Sequence, residues 1–295
     1  MANFNKNTLA IIGAILGAAL IIGGAIIIAG KDTDSSNSSS NSGSSSSNQS
    51  GSANSKKASV KTFTLPNNIK LEMVRVEPGS FTMSKQDGEN YDSEVEHTKT
   101  LTKPFYIGKY EVTQAQYQAV MGKNPSSFKG DNRPVENVTW YEAMEFCEKM
   151  NKYAPPGWKF TLPTETQWEF AARGGNKSRG YKYSGSNTLG DVAWYWDNSG
   201  RTTHEVGGKA PNELGLYDMS GNVYEWCLDN YQKDSSNTKS EFTRAYRDSD
   251  GSLRVYRGGC WGSDARFCRS AYRNYNDPDV RSNDIGFRLA LVPAE

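Results

Sequence analysis

The sequence predicts an α+β domain that is rich in loops and poor in regular secondary structure. Residues 70–77 and 105–112 alternate apolar and polar side chains, which is typical of half-buried strands. Three further segments carry the signature of a helix start. After Gly175 the chain is dense in glycine, asparagine, aspartate and aromatic residues and has few long periodic runs. So much ordered loop requires polar contacts or bound ions to satisfy its backbone groups.

The helix starts are capping boxes, in which a threonine is followed three residues later by glutamine or glutamate. They are Thr113 with Gln116, Thr139 with Glu142, and Thr164 with Gln167. Gly122 predicts the end of the first helix. Cys147 falls on the apolar face of the second helix, so we expect it to be buried. Glu165 and Glu169 in the third helix are spaced as a carboxylate pair; a catalytic role is one interpretation, and support of the helix dipole and cap is the one we favour.

Composition excludes several classes of function. The chain of 295 residues carries 34 Lys and Arg against 33 Asp and Glu. A net charge of +1 is not the excess of basic residues that is typical of proteins that bind nucleic acid. Two histidines, His97 and His204, cannot form a multi-histidine metal site. The four cysteines include no CxxC pair, which disfavours a zinc ribbon or a thioredoxin-like redox site.

The N-terminus contains a predicted membrane anchor. Residues 9–29 consist only of Leu, Ile, Ala and Gly, and such a helix can span a hydrocarbon core of about 30 Å. A cleaved signal peptide is the alternative, but its apolar region is about 7–15 residues long. Lys6 precedes the run and aspartates follow it, so the positive-inside rule places residues 1–8 in the cytoplasm.

Beyond the anchor we expect a tethered head outside the cell. Residues 30–62 are rich in Ser and Asn and predict a flexible linker. Residues 63–295 have no further low-complexity break and form one domain. The predicted location is therefore the cell membrane, with a single pass and an extracytoplasmic C-terminal head.

Seven short blocks occur in order through this head. They are GSFTM at 79–83, YEVT at 110–113, RPVENVTW at 133–140, LPTE at 162–165, GLYDMSGNVYEW at 215–226, RGG at 257–259 and GFR at 286–288. Together they resemble the formylglycine-generating enzyme, or sulfatase-modifying-factor, family. The resemblance implies a variant of the C-type lectin fold, in agreement with the loop-rich composition.

The resemblance also implies an oxidase that converts a sulfatase cysteine to formylglycine with oxygen and Cu(I) held by two thiolates. The family's two thiol positions fall on Ser263 and Cys268, and a hydroxyl is a poor ligand for soft Cu(I). Cys260 stands where the family has a serine, and Tyr224 where it has a tryptophan. If this segment is extended, Cys260 and Ser263 point to opposite faces, so Cys260 does not replace the missing thiol. We therefore do not expect Cu(I).

A calcium site is the second implication of the resemblance. The family's ion ligands fall on the side chains of Asp218 and Glu225 and on the carbonyls of Gly221 and Val223. Hard oxygen ligands from a short loop suit Ca²⁺, which we expect here. The alternative is that the two carboxylates only hydrogen-bond the loop backbone.

Residues 260–284 have the composition of a ligand surface, because Tyr and Phe give rigid contact area while Ser, Gly and Asp adapt. The arrangement is similar to the variable region of proteins diversified by retroelements; a fixed binding surface and an ordinary turn-rich loop are the alternatives. The candidate contact residues are Trp261, Gly262, Ser263, Asp264, Phe267, Tyr272, Tyr275, Val280, Ser282 and Asp284.

Three classes of function follow. The first is a membrane-anchored binding or display module whose partner is an unknown extracellular protein or surface ligand. The second is a formylglycine-generating oxidase with a rearranged thiol site, and the third is a paralogue without a ligand. Ser263 favours the first class over the second. Nothing in the sequence separates the first class from the third.

Overall fold

The computed structural model describes residues 59–84, 94–240 and 252–294. The described residues lie in one compact unit, which spans residues 55–295. The predicted anchor at 9–29 lies outside the described residues, as does most of the predicted linker. No helix in the described part of the chain is both long and apolar enough to cross a membrane. The first strand, β1, begins at Val60, just before the predicted start of the head.

The three capping boxes are confirmed. Helices α1 (Gln114–Met121), α2 (Trp140–Met150) and α3 (Glu165–Ala172) each begin directly after the predicted threonine. In every case the threonine hydroxyl accepts the N–H three residues on, and that residue's side chain accepts the threonine N–H. Gly122 ends α1 with φ of +76°, and Cys147 is 1% exposed, both as predicted. A single further turn forms α4 (Leu189–Val192).

The first sheet has five strands in the order β1-β2-β5-β11-β6, paired antiparallel throughout. Its strands are β1 (Val60–Thr64), β2 (Lys70–Val76), β5 (Phe105–Gly108), β6 (Trp158–Thr161) and β11 (Ala290–Pro293). The expected alternation over 105–112 is wrong. All of β5 is buried, because it lies at the centre of the sheet with Tyr106 in one core cluster and Ile107 in the other.

The second sheet carries the candidate site. Its order is β10-β7-β8-β9, and a separate two-stranded hairpin joins β3 to β4. The bounds are β3 (Gly79–Met83), β4 (His97–Leu101), β7 (Tyr224–Asn230), β8 (Arg254–Arg257), β9 (Arg273–Asn276) and β10 (Ile285–Gly286). Aromatic rings of one core cluster, including Tyr117, Phe146 and Phe287, fill the space beside α1 and α2.

Helix α3 is tied to this sheet by buried ion pairs. Glu165 bonds to Arg257 at 2.8 Å and to Arg273 at 2.6 Å, while Glu169 bonds to Arg257 at 2.5 Å and to Arg173 at 2.8 Å. The five side chains are at most 8% exposed. The two carboxylates therefore fix α3 against β8 and β9, which is a larger structural role than support of the helix dipole and cap.

Candidate functional site

A tight turn follows β8 and forms the centre of the site. Gly258 and Gly259 adopt φ of +99° and +76°, a region that glycine enters without strain. A side chain at Gly259 would come within 2.6 Å of the Sγ atom of Cys268. The N–H of Ser263 donates to the carbonyl of Cys260 at 3.0 Å and closes the turn. The sequence Arg-Gly-Gly thus brings the two thiols and the serine into one region.

Cys260 and Ser263 lie on the same side of the chain. The Sγ atom of Cys260 is 3.3 Å from the Oγ atom of Ser263, and that hydroxyl donates to the Tyr224 hydroxyl at 3.1 Å. The Ser263 Oγ also accepts the N–H of Cys260 at 3.0 Å. The expectation that the two side chains point to opposite faces is wrong, because residues 260–263 form a turn and not an extended strand.

Both thiols of the region have a raised pKa. Burial, followed by the charge of Asp284, raises the pKa of Cys260 to about 12. Burial, followed by the neighbouring Cys260, raises the pKa of the Cys268 thiol well above its usual range. Copper requires thiolates. A hydroxyl at Ser263, where the resemblance implies the first thiol, does not fit a two-thiolate copper centre, and we derive no oxidation step through copper.

Glu225, the predicted acidic calcium ligand of β7, is held by an arginine. Arg288 donates to its two oxygens at 2.6 Å each, and the Trp168 indole N–H donates to Oε2 at 2.7 Å. All three side chains are buried. The positive charge next to Glu225 is therefore supplied by the protein itself.

Asp218, the other predicted acidic calcium ligand, has different hydrogen-bond partners from Glu225. Its Oδ2 atom accepts the N–H of Gly207 at 2.7 Å, whereas its Oδ1 atom is buried without a hydrogen-bond partner among the described residues. Burial raises the pKa of Asp218 to about 6. Burial, then the charges of Asp218 and Glu225, raises the pKa of the nearby Glu111 well above its usual range. Three carboxylates thus face one guanidinium, that of Arg288.

Among the two predicted side-chain ligands, Asp218 is thus the one with a buried carboxylate oxygen that has no hydrogen-bond partner in the described residues. Within the described residues, no group of three or more His, Cys, Asp or Glu side chains is arranged to hold a metal ion. Calcium therefore stays a prediction, with Asp218 as the side chain on which it depends.

Three of the predicted ligand-contacting aromatic residues border the turn, two of them as a pair and Trp261 separately. The rings of Phe267 and Tyr272 are 4.9 Å apart, and Trp261 packs edge-on against Phe128 at 5.5 Å. The Trp261 indole N–H donates to the carbonyl of Asn283 at 3.0 Å. Each of these rings is partly buried, which leaves one portion for contact with solvent or a ligand.

Tyr275 is not part of this group. It pairs with Val255 across β8 and β9, is 42% exposed, and stacks on Tyr231 at 3.9 Å. The neighbouring pair joins Asn274 to Tyr256. Because successive residues of a strand point to opposite faces, Tyr275 lies on the face of the sheet opposite Tyr256.

The remaining predicted contact residues line the same loops. Ser263 is 5% exposed, Asp264 is exposed, and Gly262, Val280, Ser282 and Asp284 are half-buried. The Oδ2 atom of Asp284 accepts the thiol hydrogen of Cys260 at 3.6 Å. The structure therefore gathers Asp284 with the turn, although 24 residues separate it from Cys260.

Sequence reasoning missed two residues of the site. Tyr256, whose ring lies 4.7 Å from Tyr224, stands just before the Arg-Gly-Gly block, and its position could have been inferred from strand alternation. Glu136 is fully buried beside the C-terminal loops. Its carboxylate carries no signal in the sequence, because a glutamate in a loop is usually exposed.

The whole head, site included, matches one family. Residues 56–292 fit the sequence profile described as "Sulfatase-modifying factor enzyme 1-like domain". The chain belongs to this family. The predicted family and its α+β, formylglycine-generating-enzyme-like fold are thereby confirmed.

Individual members of the sulfatase-modifying factor family carry different names. The chain is 35% identical over 266 residues to chaperone protein LppX of Paenibacillus barcinonensis, covering 74% of this chain and 88% of LppX. It is 32% identical over 199 residues to the formylglycine-generating enzyme of Thermomonospora curvata, covering 62% of this chain and 63% of the enzyme. The solved Treponema denticola variable protein 1 superposes with a TM-score of 0.69 at 36% identity, covering 79% of this chain and 99% of that protein.

Proposed function

We propose that this chain is a membrane-anchored, extracytoplasmic binding module that contacts its ligand through the loops within residues 260–284, with Tyr275 on the other face of the sheet outside the contact surface. The observation that carries the proposal is the partly buried aromatic group of Trp261, Phe267 and Tyr272 around Ser263, the position of the family's first thiol. Rigid aromatic rings with small polar neighbours are the composition of binding surfaces.

The relatives support a binding role and a protein ligand. The likeness to a Treponema denticola protein named as variable supports the idea that side chains of the C-terminal segment vary between related copies while the fold is retained. The relative named as a chaperone, which this chain matches over most of its length, supports a protein as the ligand. A near-copy of the bases that encode the C-terminal segment, next to a reverse-transcriptase gene, would establish diversification.

A second candidate function is a formylglycine-generating oxidase with a rearranged thiol site. The observation that favours it is the 3.3 Å distance between Cys260 and Ser263, which places a thiol beside the position of the missing one. The hydroxyl of Ser263 opposes it, because a hydroxyl is a poor ligand for Cu(I).

The two faces of the second sheet allow a controlled test of the binding surface. The full-length chain in detergent is used to select peptides from a displayed library, and the selected peptides are measured against Tyr272→Ala and Tyr275→Ala. We expect Tyr272→Ala to weaken binding by about 1–2 kcal/mol. Tyr275→Ala removes an equal side chain on the opposite face and should change binding by less than about 0.5 kcal/mol. An equal loss of peptide affinity in both variants, or an affinity that neither substitution changes, would exclude this surface.

A further inference from the structure

A cavity of about 400 Å³ lies against the first sheet. Its walls come from β1, β2, the residue after β5, and the loops at 177 and 212–217. Among the described residues, none of those proposed to contact the protein ligand lines this cavity. Since a water molecule occupies about 30 Å³ in the liquid, the space has room for about a dozen non-hydrogen atoms. Cavities of this size are typical of small-molecule sites.

One wall of the cavity is apolar. Val60 of β1 pairs with Val74 of β2, and both line the cavity together with Leu214. Val74 and Leu214 belong to the same core cluster and are buried. Val60 lies on the edge strand of the sheet and is 42% exposed. A ligand with an apolar body gains free energy by covering this valine.

The loop on the other side is fixed before any ligand binds. The amide nitrogen of Asn212 donates to the carbonyl of Ala171 at 2.8 Å, and its amide oxygen accepts the N–H of Leu214 at 3.0 Å. The N–H of Tyr217 donates to the carbonyl of Lys109 at 3.0 Å. A ligand therefore does not have to order these walls, which lowers the free-energy cost of binding.

Two lysines border the cavity. The ammonium of Lys109 lies 3.2 Å from a carboxylate oxygen of Glu72 and 5.9 Å from the centre of the Tyr217 ring. Lys177 is exposed, and its ammonium has no ion-pair partner in the described part of the chain. The cavity thus offers a positive charge that the described residues do not neutralise.

Glu213, the carboxylate that lines the cavity, is directed to a neighbouring turn. Its Oε1 atom accepts the N–H of Arg179 at 3.2 Å. Its Oε2 atom is buried, without a hydrogen-bond partner among the described residues, where a side chain on Gly174 would come within 2.6 Å of it. Because this oxygen is closed off from solvent, it does not face the open cavity. The cavity is therefore complementary to an anion.

We propose that this cavity binds a small carboxylate with an aromatic body. Lys177 and Lys109 hold the carboxylate, and the apolar wall contacts the body. Tyr217 favours an aromatic ligand, because rings attract each other in tilted and edge-on arrangements, as its own ring does with Tyr110 at 5.1 Å. The site is independent of the proposed function, since it uses another surface and other residues.

The test uses the full-length chain in lipid nanodiscs, with empty nanodiscs as the reference. The two test ligands are 3-phenylpropionate and its neutral isostere 3-phenylpropionamide, and their affinities are measured by saturation-transfer NMR. We expect the carboxylate to bind at least about fivefold more tightly than the amide, because hydrogen bonds from an ammonium to a charged acceptor are the stronger ones. This preference should decrease as salt is added.

Matched lysine variants locate the charge. Lys177→Met removes the exposed ammonium and should reduce the preference for the carboxylate to less than about twofold. Lys61→Met is the control. Lys61 follows Val60 in β1 and therefore points to the opposite face of the sheet, so its loss should leave the preference unchanged.

Matched tryptophan variants locate the cavity. Val60→Trp, at an exposed position, should fill part of the space and weaken both test ligands at least about fivefold. Thr62→Trp places the same side chain two residues further along the same face of β1, outside the cavity lining, and should change neither affinity by more than about twofold. Thermal melts check that each variant is folded.

Equal affinities for the acid and the amide, or no binding of either, would overturn the proposal. A preference that survives Lys177→Met, or one that Lys61→Met removes to the same extent, would also overturn it. The same holds if Val60→Trp leaves both affinities unchanged. These outcomes do not affect the proposed function, which is tested separately with the selected peptides and Tyr272→Ala.

Discussion

The Sγ atom of Cys260 lies 3.3 Å from the Oγ atom of Ser263, and the same Oγ atom donates to Tyr224. The turn thus places a thiol directly beside the position that the resemblance assigns to the family's first thiol. The pair bears on both candidate functions, because a two-thiolate copper centre needs a thiol where this chain has the hydroxyl of Ser263.

We expect the wild-type chain to form no aldehyde when it is given copper, oxygen, a reductant and a cysteine-containing sulfatase peptide. Ser263→Cys should raise the affinity for Cu(I) by at least about tenfold in competition with a chelator, since it adds a second soft ligand. Ser282→Cys, which adds a thiol elsewhere in the same segment, is the control. Turnover by the wild type that Cys260→Ala abolishes would make the oxidase the correct function.

Protease added to intact cells should release a soluble fragment of roughly residues 60–295. The reason is the apolar run at 9–29 followed by a linker without bulky side chains. Immunoblotting of medium and membrane fractions gives the measurement. A head that stays fully protected until the cells are lysed would contradict the orientation.

Calcium should raise the melting temperature of the head relative to chelator. An ion that binds only the folded chain adds about 2.7 kcal/mol at a hundredfold excess over Kd. Asp218→Asn should remove most of this response, because its Oδ1 atom is the carboxylate oxygen without a donor in the described residues. Exposed Asp264→Asn is the matched control. Coincident melts with calcium and chelator would reject the site.

Arg257→Met should destabilise the fold by about 3–5 kcal/mol, because it leaves Glu165 and Glu169 buried with less compensation. Arg266→Met, on an exposed side chain, should change the free energy of unfolding by less than about 0.5 kcal/mol in urea titrations. A loss below about 1 kcal/mol in Arg257→Met would show that the network contributes little.

The same network has a predictable pH dependence. Burial alone would raise the pKa of Glu165, but Arg273 and Arg257 outweigh it and hold that pKa below its usual value. The stabilisation by Glu165 is therefore complete above the ordinary carboxyl pKa of about 4.3 and is lost as the pH falls below it. In acid titrations, the free energy of unfolding of the wild type should therefore fall more with decreasing pH than that of Arg257→Met.

The sequence by itself determined the family and the three helix starts, and it has a serine at 263, where the resemblance implies the family's first thiol. These features depend on local patterns: a capping box involves residues three apart, and a family block fixes each position by its neighbours. Burial of Cys147 followed from helical spacing alone. These contacts join residues that are close along the chain, so a local sequence pattern is enough to predict them.

Only the tertiary structure decided which side chains share the site. It turned Cys260 toward Ser263, paired Glu225 with Arg288 from the segment between β10 and β11, and placed Tyr275 on the opposite face from Tyr256. It also brought the buried Glu136 beside the segment that carries Asp284. These relationships depend on the closure of turns and the packing of segments that lie far apart in sequence, and neither composition nor periodicity encodes which distant carboxylate meets which guanidinium.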